Sequence, residues 1–294
     1  MRAVAIDLLW RQWRSLGAAA TGRPVARQVD PEALILASLQ CESEEPRLWT
    51  VMVDWLRSSA RLSSVQRLKN LVGQFAGARE LLPRLAASVT RESGDLRWRS
   101  LTRKGRNKDS PDPIRERAAG PTLESAPALM LRLRAAFGVG VKADLLAFLL
   151  GQRFRVSVAT AASALGHSKP TVFRALQDLL EARMIRTTLT TTAAEYWIEA
   201  PPWEPLLGGA ISRWGYWREI LSYICALVQL ERSTRGSASP YARAVAARDL
   251  AAEHETDLVR TELIDQELAV PRSAEWPDWK VFYSRFADRL ANRV

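Results

Sequence analysis

The sequence predicts a mainly α-helical protein that carries one short β-hairpin near the middle of the chain. Apolar residues recur at helical spacing in 1–92 and again after residue 208. Between these two parts lies a stretch rich in threonine and aromatic residues, which favours strands. Hydrophobic residues make up 47% of the chain and charged residues 25%, which is typical of a soluble globular protein and excludes wholesale disorder.

The length and the charge of the chain constrain its organisation and its partners. Its 294 residues exceed what one compact domain usually needs, so we expect two or three domains. Lys and Arg number 42 against 32 Asp and Glu, which gives a net charge of +10. The resulting isoelectric point is about 10.2. This excess of positive charge favours a polyanionic partner.

Residues 1–92 are predicted to form a helical N-terminal domain. Asp30 can cap a helix whose first turn contains Pro31, and 48–56 form a second helix. A third helix opens at Ser63 and Ser64. Its outer face is predicted to consist of Arg61, Ser64, Gln66, Arg67, Lys69 and Asn70. Such a face suits either a DNA-reading helix or a plain amphipathic helix.

Residues 93–124 are predicted to form a basic linker that contains proline. Six positive charges fall within twelve residues without one acid, at Arg97, Arg99, Arg103, Lys104, Arg106 and Lys108. Pro111 and Pro113 follow, and each breaks a helix because proline lacks an amide donor. The run suits both a solvated connector and an arm that contacts nucleic acid, and the two interpretations do not exclude each other.

Residues 125–208 begin with two short helices and a turn. An apolar helix is predicted over 143–151, closed by a glycine. A second helix over 158–165 is rich in small residues, so that another helix can pack close to it. Gly166 and His167 form the turn that follows.

A longer amphipathic helix begins after this turn. Ser168 caps it, and Pro170 lies in its first turn. Its buried stripe is predicted to be Val172, Ala175, Leu176, Leu179 and Leu180. The chain then continues through Leu189 into a hairpin whose second strand is 195–199. Helix, helix, turn, helix and hairpin in this order are typical of a winged helix-turn-helix.

Residues 158–198 resemble the DNA-binding module of winged-helix bacterial transcriptional regulators. The strings ASALGHSKPTVFRALQDLLEARMI and EYWI carry the resemblance, which extends over about 143–199 and covers none of the flanking helices. In such a family the alanine-rich helix and the Ser-x-x-Thr-Val-x-Arg-x-Leu helix are diagnostic in combination. The resemblance implies that the helix from Ser168 enters the major groove of double-stranded DNA.

The residues predicted to contact DNA follow from helix geometry. A major groove admits one α-helix, and the helix N-terminus presents amides and a partial positive charge to phosphate. The first turn therefore supplies the predicted phosphate contacts, Ser168, Lys169 and Thr171. Residues farther along and outside the apolar stripe are predicted to reach base edges, namely Phe173, Arg174 and Gln177. Arg174 is the strongest candidate because a guanidinium can pair bidentately with guanine.

The predicted wing departs from the family pattern. Such wings often carry Arg or Lys at the hairpin tip, whereas Thr190, Thr191 and Thr192 offer hydroxyl groups only. This departure speaks against reading of the minor groove. Arg183 and Arg186 are predicted to meet backbone phosphates from the base of the wing instead.

Residues 209–294 are predicted to form a helical C-terminal domain for dimerisation or sensing. Helices are expected over 211–231, 241–268 and 279–292, the last after a turn at Pro277. Tryptophan pairs at i,i+3 spacing suit either an aromatic-lined pocket or dimer surface, or large anchors in helix packing. These pairs are Trp10/Trp13, Trp214/Trp217 and Trp276/Trp279.

Few residues of the sequence suit metal or acid–base chemistry. Cys41 and Cys225 have no further ligand at metal spacing, and His254 lies among acids that mostly diverge on a helix. The sequence contains no phosphate-cradling glycine loop and no nucleophile elbow. We therefore expect no catalytic residues, no metal, no cofactor and no enzyme activity.

The longest nearly apolar stretch, 220–230, has eleven residues. A helix needs about 20 apolar residues to cross a bilayer, so we expect no membrane span and a cytoplasmic location.

These patterns together predict a sequence-specific DNA-binding transcriptional regulator that acts as a homodimer. Repression is the simpler mode, because an occupied operator blocks polymerase. The main alternative is an antitoxin-like or adaptor protein whose winged helix mediates protein contacts and autoregulation. A subunit of a nucleic-acid-processing enzyme is a third class.

Overall fold

The computed structural model describes residues 1–75, 77–102, 120–189, 194–209, 211–234, 239–273 and 275–293. This part of the chain is mainly helical and contains a small three-stranded antiparallel sheet. The prediction of a mainly α-helical chain is therefore confirmed. None of the helices within these ranges is long and apolar enough to cross a membrane.

The N-terminal part consists of α-helices joined by short 3₁₀ turns. The helices are α1 (Arg2–Ser15), α2 (Pro31–Gln40), α3 (Arg47–Ser59), α4 (Val65–Leu71) and α5 (Ala78–Ser93), and the 3₁₀ turns are Ala60–Leu62, Val72–Gln74 and Leu96–Leu101. The Asp30 carboxylate accepts hydrogen bonds from the amides of Glu32 and Ala33 at 3.2 Å. The Ser64 hydroxyl accepts one from the amide of Arg67 at 3.2 Å. Both predicted helix caps are confirmed.

The middle part contains four helices and the sheet. Its elements are α6 (Leu129–Phe137), α7 (Val141–Leu150), β1 (Val156–Ser157), α8 (Val158–Leu165), α9 (Lys169–Glu181), β2 (Arg186–Leu189) and β3 (Ala194–Trp197), preceded by a 3₁₀ turn at Ala126–Ala128. The predicted helix over 158–165 is α8. Ser168 caps α9 as predicted, because its hydroxyl accepts a hydrogen bond from the Thr171 amide at 3.4 Å.

The sheet has the strand order β1-β3-β2. In the hairpin of β2 and β3, Arg186 lies opposite Trp197 and Leu189 lies opposite Ala194. The hairpin was predicted, but β1 was not, since two residues are too few to show an alternating pattern. Of the hairpin tip predicted over 190–194, Thr190, Thr191 and Thr192 lie outside the described residues, whereas Ala194 begins β3.

The C-terminal helices differ in their bounds from the prediction. They are α10 (Trp217–Ser233), α11 (Pro240–Arg260) and α12 (Trp276–Arg293). The predicted helix 211–231 starts late because Tyr216 has a φ of 54°, in the left-handed region. The predicted helix 241–268 ends early, and Glu262 has a φ of 60° just beyond its end. Pro277 lies in the first turn of α12 and not before it, a position where a missing amide costs nothing.

Two clusters of buried side chains form the core. The larger cluster joins residues of α1–α5 to residues of α10–α12, although the sequence predicted separate N-terminal and C-terminal domains. We call these helices the body. The smaller cluster joins α6–α9, the sheet and Trp214, and we call these elements the central unit. The chain enters and leaves the central unit at one place, where the Ser212 hydroxyl donates to the Ala126 carbonyl at 2.6 Å.

The tryptophan pairs serve mainly as packing anchors. Trp13, Trp217 and Trp279 are fully buried. Trp214 precedes α10 and belongs to the core of the central unit, whereas Trp217 belongs to that of the body. Trp214 and Trp217 therefore do not form one exposed aromatic face.

Candidate nucleic-acid interface

The two faces of α9 differ sharply in exposure. Val172, Ala175, Leu176 and Leu179 are buried against the central unit, as predicted, while Leu180 is half-buried. The opposite face is open to solvent at Ser168, Lys169, Phe173 and Arg174. No neighbouring element of the described chain covers the first two turns of this helix.

The polar side chains at the start of α9 differ in whether they already have hydrogen-bond or ion-pair partners within the protein. The hydroxyls of Ser168 and Thr171 lie 2.8 Å apart, and the Ser168 hydroxyl also caps the helix. Arg174 donates only a long hydrogen bond of 3.4 Å, from Nε to the Pro170 carbonyl of its own helix. Because neither Lys169 nor Arg174 has an ion-pair partner among the described residues, their charges can meet an external anion.

Gln177 is positioned differently from the prediction. Its side chain is half-buried, and its amide nitrogen lies 3.4 Å from the hydroxyl of Tyr196 on β3. The structure thus brings Gln177 to the sheet, at the edge of the exposed face that Phe173 and Arg174 occupy.

The predicted cations of the wing lie at the base of the hairpin. Arg183 is exposed in the turn after α9, with a φ of 56°. Arg186 faces Trp197 in the sheet register, and its Nε lies 3.8 Å from the carboxylate of Glu199. More than half of each of these two side chains is exposed, so the ion pair is weak and open to exchange.

A second group of exposed residues, which the sequence did not indicate, lies at the base of the hairpin. Arg153, Phe154 and Arg155 precede β1 and are all exposed, Phe154 to 72%. The guanidinium of Arg155 stacks over the Trp197 ring at 4.4 Å from its centroid. The Arg-Phe-Arg string was visible in the sequence, but its place beside β3 depends on the short strand β1, which was not predicted.

The predicted basic arm is described only at its start. Arg97 pairs with Asp95 at 2.6 Å and donates to the Ala60 carbonyl at 3.1 Å, so it holds a 3₁₀ turn against the body. Arg99 is exposed. The other members of the arm lie outside the described residues: Arg103, Lys104, Arg106 and Lys108.

A buried network of charges lies behind the turn between α8 and α9. Arg67 pairs with Asp30 at 2.6 Å and with Glu32. Arg134 pairs with Glu32 and with Asp144, each at 2.7 Å. All five side chains are at most 2% exposed, so each charge depends on its partners.

The network lowers the pKa values of its two aspartates, Asp30 and Asp144. Burial acts to raise the pKa of Asp144, but the charges of Arg134 and Arg67 and a contact with His167 outweigh burial and hold that pKa below its usual value. The same competition between burial and Arg67 lowers the pKa of Asp30. Both aspartates are therefore ionised at neutral pH.

The network also holds the turn that leads into α9. The Nε of Arg67 donates to the Leu165 carbonyl at 2.8 Å, and Asn70 donates to the Gly166 carbonyl at 2.9 Å. The ring of His167 lies 3.4 Å from the Asp144 carboxylate. The prediction that Arg67 belongs to an outer basic face of α4 is wrong, because the buried carboxylates hold its guanidinium inside.

The remaining candidate groups show no metal-binding arrangement. The described residues contain no cluster of three or more His, Cys, Asp or Glu side chains that could hold a metal ion. The His254 ring packs against Tyr223 at 5.4 Å, and burial lowers the pKa of His254. The sulfur atoms of Cys41 and Cys225 lie 4.0 Å apart, and both residues are buried and not joined by a disulfide. The sequence did not indicate this proximity.

Comparison with known proteins adds no relative to this description. No protein-family model matches the chain, and no curated protein or solved structure matches it significantly.

Proposed function

We propose that this chain is a sequence-specific DNA-binding transcriptional regulator, and that α7–α9 with the sheet act as a winged helix-turn-helix. The observation that carries the proposal is the exposed, positively charged first half of α9 beside a buried apolar stripe. A helix in this state can enter a major groove without unfolding any part of the central unit.

The roles of the residues follow from where they lie. Lys169 and the amides of the first turn meet phosphate, and this contact positions the helix. Arg174 reads a base edge, with Phe173 against an apolar group such as the thymine methyl. Arg183 and Arg186 meet the backbone at the side of the hairpin, and the net charge of +10 supplies attraction at longer range.

The regulator acts as a homodimer and as a repressor in this proposal. A dimer sets two recognition helices about 34–36 Å apart, one turn of DNA, so its preferred sites are palindromic. Occupation of such a site excludes polymerase. The cell location that suits this activity is the cytoplasm.

Binding-site selection from random duplexes at two salt concentrations tests the proposal. We expect an enriched palindromic site whose advantage over random DNA persists as salt weakens binding to both. Arg174→Ala should reduce that advantage by roughly 1–3 kcal/mol, whereas Lys169→Ala should weaken binding to both DNAs alike. Neutralising the basic arm should act like Lys169→Ala.

Arg248→Ala is the matched control for these variants. Arg248 is an exposed arginine on α11, paired with Asp249 at 3.2 Å, so its loss removes the same charge from a helix other than α9. Selection that enriches no site, or an unchanged site preference in Arg174→Ala, contradicts the proposed reading of DNA by α9.

A protein-binding adaptor, antitoxin-like in its autoregulation, is the second candidate. Phe154 and Phe173 favour it, because they are large apolar side chains exposed to 72% and 48%. In this case Phe173→Ser should abolish co-purification of a partner polypeptide, whereas Arg174→Ala should leave it intact.

A further inference from the structure

A cavity of about 230 Å³ lies among α10, α11 and α12 of the body and shares no residue with the exposed face of α9. Its apolar side is formed by Leu227, Leu230, Trp276 and Tyr283. Glu231, Thr234 and Arg243 form its polar side. A cavity with one apolar wall and a few polar groups is the usual form of a small-molecule site.

The apolar side fits an aromatic ring. The rings of Trp276 and Tyr283 pack edge to face with their centroids 6.3 Å apart, and Leu227 is buried beside the same space. Apolar cavities of about 150 Å³ hold a benzene molecule. The larger volume here therefore admits a six-membered ring together with a short polar substituent.

The guanidinium of Arg243 favours a negatively charged substituent on the ring. Its Nε is buried and has no hydrogen-bond partner, and its Nη2 donates only to the Thr234 carbonyl, at 3.2 Å. No carboxylate of the described residues forms an ion pair with it. A buried guanidinium N–H without an acceptor is costly, and a carboxylate is the acceptor that best matches its geometry.

The other polar groups agree with an anionic ligand. Glu231 lies 3.5 Å from the amino nitrogen of Met1, a contact that offsets part of its charge. Burial raises the pKa of Tyr283, which keeps the phenol protonated and able to donate a hydrogen bond. The cavity thus has the guanidinium of Arg243 and the side chain of Tyr283 in its lining, beside its aromatic wall.

We propose that this cavity binds a small aromatic carboxylate, with the ring against Trp276 and Leu227 and the carboxylate on Arg243. The ligand class follows from the unpaired guanidinium and from the size of the cavity. The proposal does not depend on DNA binding, since it concerns only the helices of the body.

Calorimetric titration of phenylacetate into the full chain tests the proposal. We expect saturable binding of one molecule per chain. Phenylacetamide has nearly the same shape without the charge, and phenethylamine carries the opposite charge, so both should bind about tenfold more weakly or worse.

Substitutions of residues that line the cavity test whether phenylacetate binds there. Arg243→Gln should weaken binding of phenylacetate about tenfold or more, and Arg243→Lys should give an intermediate Kd because it keeps the charge. Arg248→Gln, on the same helix and exposed, should leave the Kd unchanged. Tyr283→Phe removes one donor with the ring kept, so binding should weaken even if Arg243→Gln fails to fold.

Three results would overturn the proposal. They are an absence of saturable phenylacetate binding to the folded wild-type chain, equal affinity for phenylacetamide, and unchanged affinity in both Tyr283→Phe and a folded Arg243→Gln variant. Circular dichroism of each variant establishes that it is folded before the titration.

Discussion

Arg67 donates a hydrogen bond from its Nε to the main-chain carbonyl of Leu165 at 2.8 Å, although 98 residues separate the two in the chain. Leu165 ends α8, just before the turn that leads into α9. The buried cation of α4 in the body therefore fixes the start of the helix that we propose to read DNA.

Removal of this cation should destabilise the protein strongly. Arg67→Met removes the ion-pair partner of the buried Asp30 and one of the two partners of Glu32, and breaking a buried pair in this way costs about 3–5 kcal/mol. Urea denaturation followed by circular dichroism measures the change in the free energy of unfolding. Lys69→Met on the exposed face of the same helix is the control and should change it by about 0.5 kcal/mol or less. Similar values for the two variants would contradict the role of Arg67.

The charge network should also make the fold sensitive to acid. The folded-state pKa values of Asp30 and Asp144 lie below the ordinary aspartate value of 3.8. The unfolded chain takes up these protons first, so the two groups stabilise the fold above that pH and lose this effect as the pH falls towards the lower folded values. We expect the free energy of unfolding to begin to fall below about pH 5 and to fall most steeply below the ordinary aspartate pKa of 3.8, towards the lower folded values.

Asp144→Asn tests the assignment of this acid sensitivity, because the amide has no proton to gain. The variant is less stable at neutral pH, but its free energy of unfolding should fall less steeply with acid than that of the wild type. Parallel pH profiles for the two proteins would assign the acid sensitivity to other carboxylates.

Gly166 should tolerate no side chain. Its φ is 66°, and an added Cβ would lie 2.5 Å from a methyl carbon of Leu71 on α4. Gly94 has a φ of 71° with nothing within 4 Å, so Gly94→Ala measures the backbone strain alone. We expect Gly166→Ala to destabilise by about 1–3 kcal/mol and by more than Gly94→Ala does. Equal losses of stability in the two variants would show that Leu71 on α4 leaves room for a side chain at Gly166.

The two cysteines should be unreactive in the folded protein. Contact with the Cys41 thiol and burial together raise the pKa of Cys225, and the thiolate is the reactive form. DTNB should react with neither thiol of the native chain and with both after unfolding. Ser100→Cys, at an exposed position, should react at once and serves as the control. Rapid reaction of the native wild type would contradict the buried position of the pair.

Local features of this structure could be predicted from the sequence. The caps at Asp30, Ser64 and Ser168 and the buried stripe of α9 depend on residues within one or two turns of each other. Their physical causes, a side-chain acceptor at a helix start and an apolar period of 3.6 residues, are visible in a short window of sequence.

Features that depend on distant partners could not be predicted. Arg67 has the sequence setting of a solvated arginine, and only Asp30 and Glu32, on another helix, explain its burial. The residues around Arg134 and Asp144 in the sequence do not indicate that these two charged side chains are buried either. The proximity of Cys41 to Cys225 likewise follows from the packing of α2 on α10, 184 residues later.

The division of the core between the body and the central unit sets the order in which the chain can fold during synthesis. The central unit has all its core residues once Trp214 has left the ribosome. The core of the body is complete only after Phe286 and Leu290 have been made, so the faces of α1–α5 that pack on α10–α12 are still uncovered when these helices emerge. Nascent chains stalled before α10 should therefore recruit chaperones through α2, whose final cover arrives late.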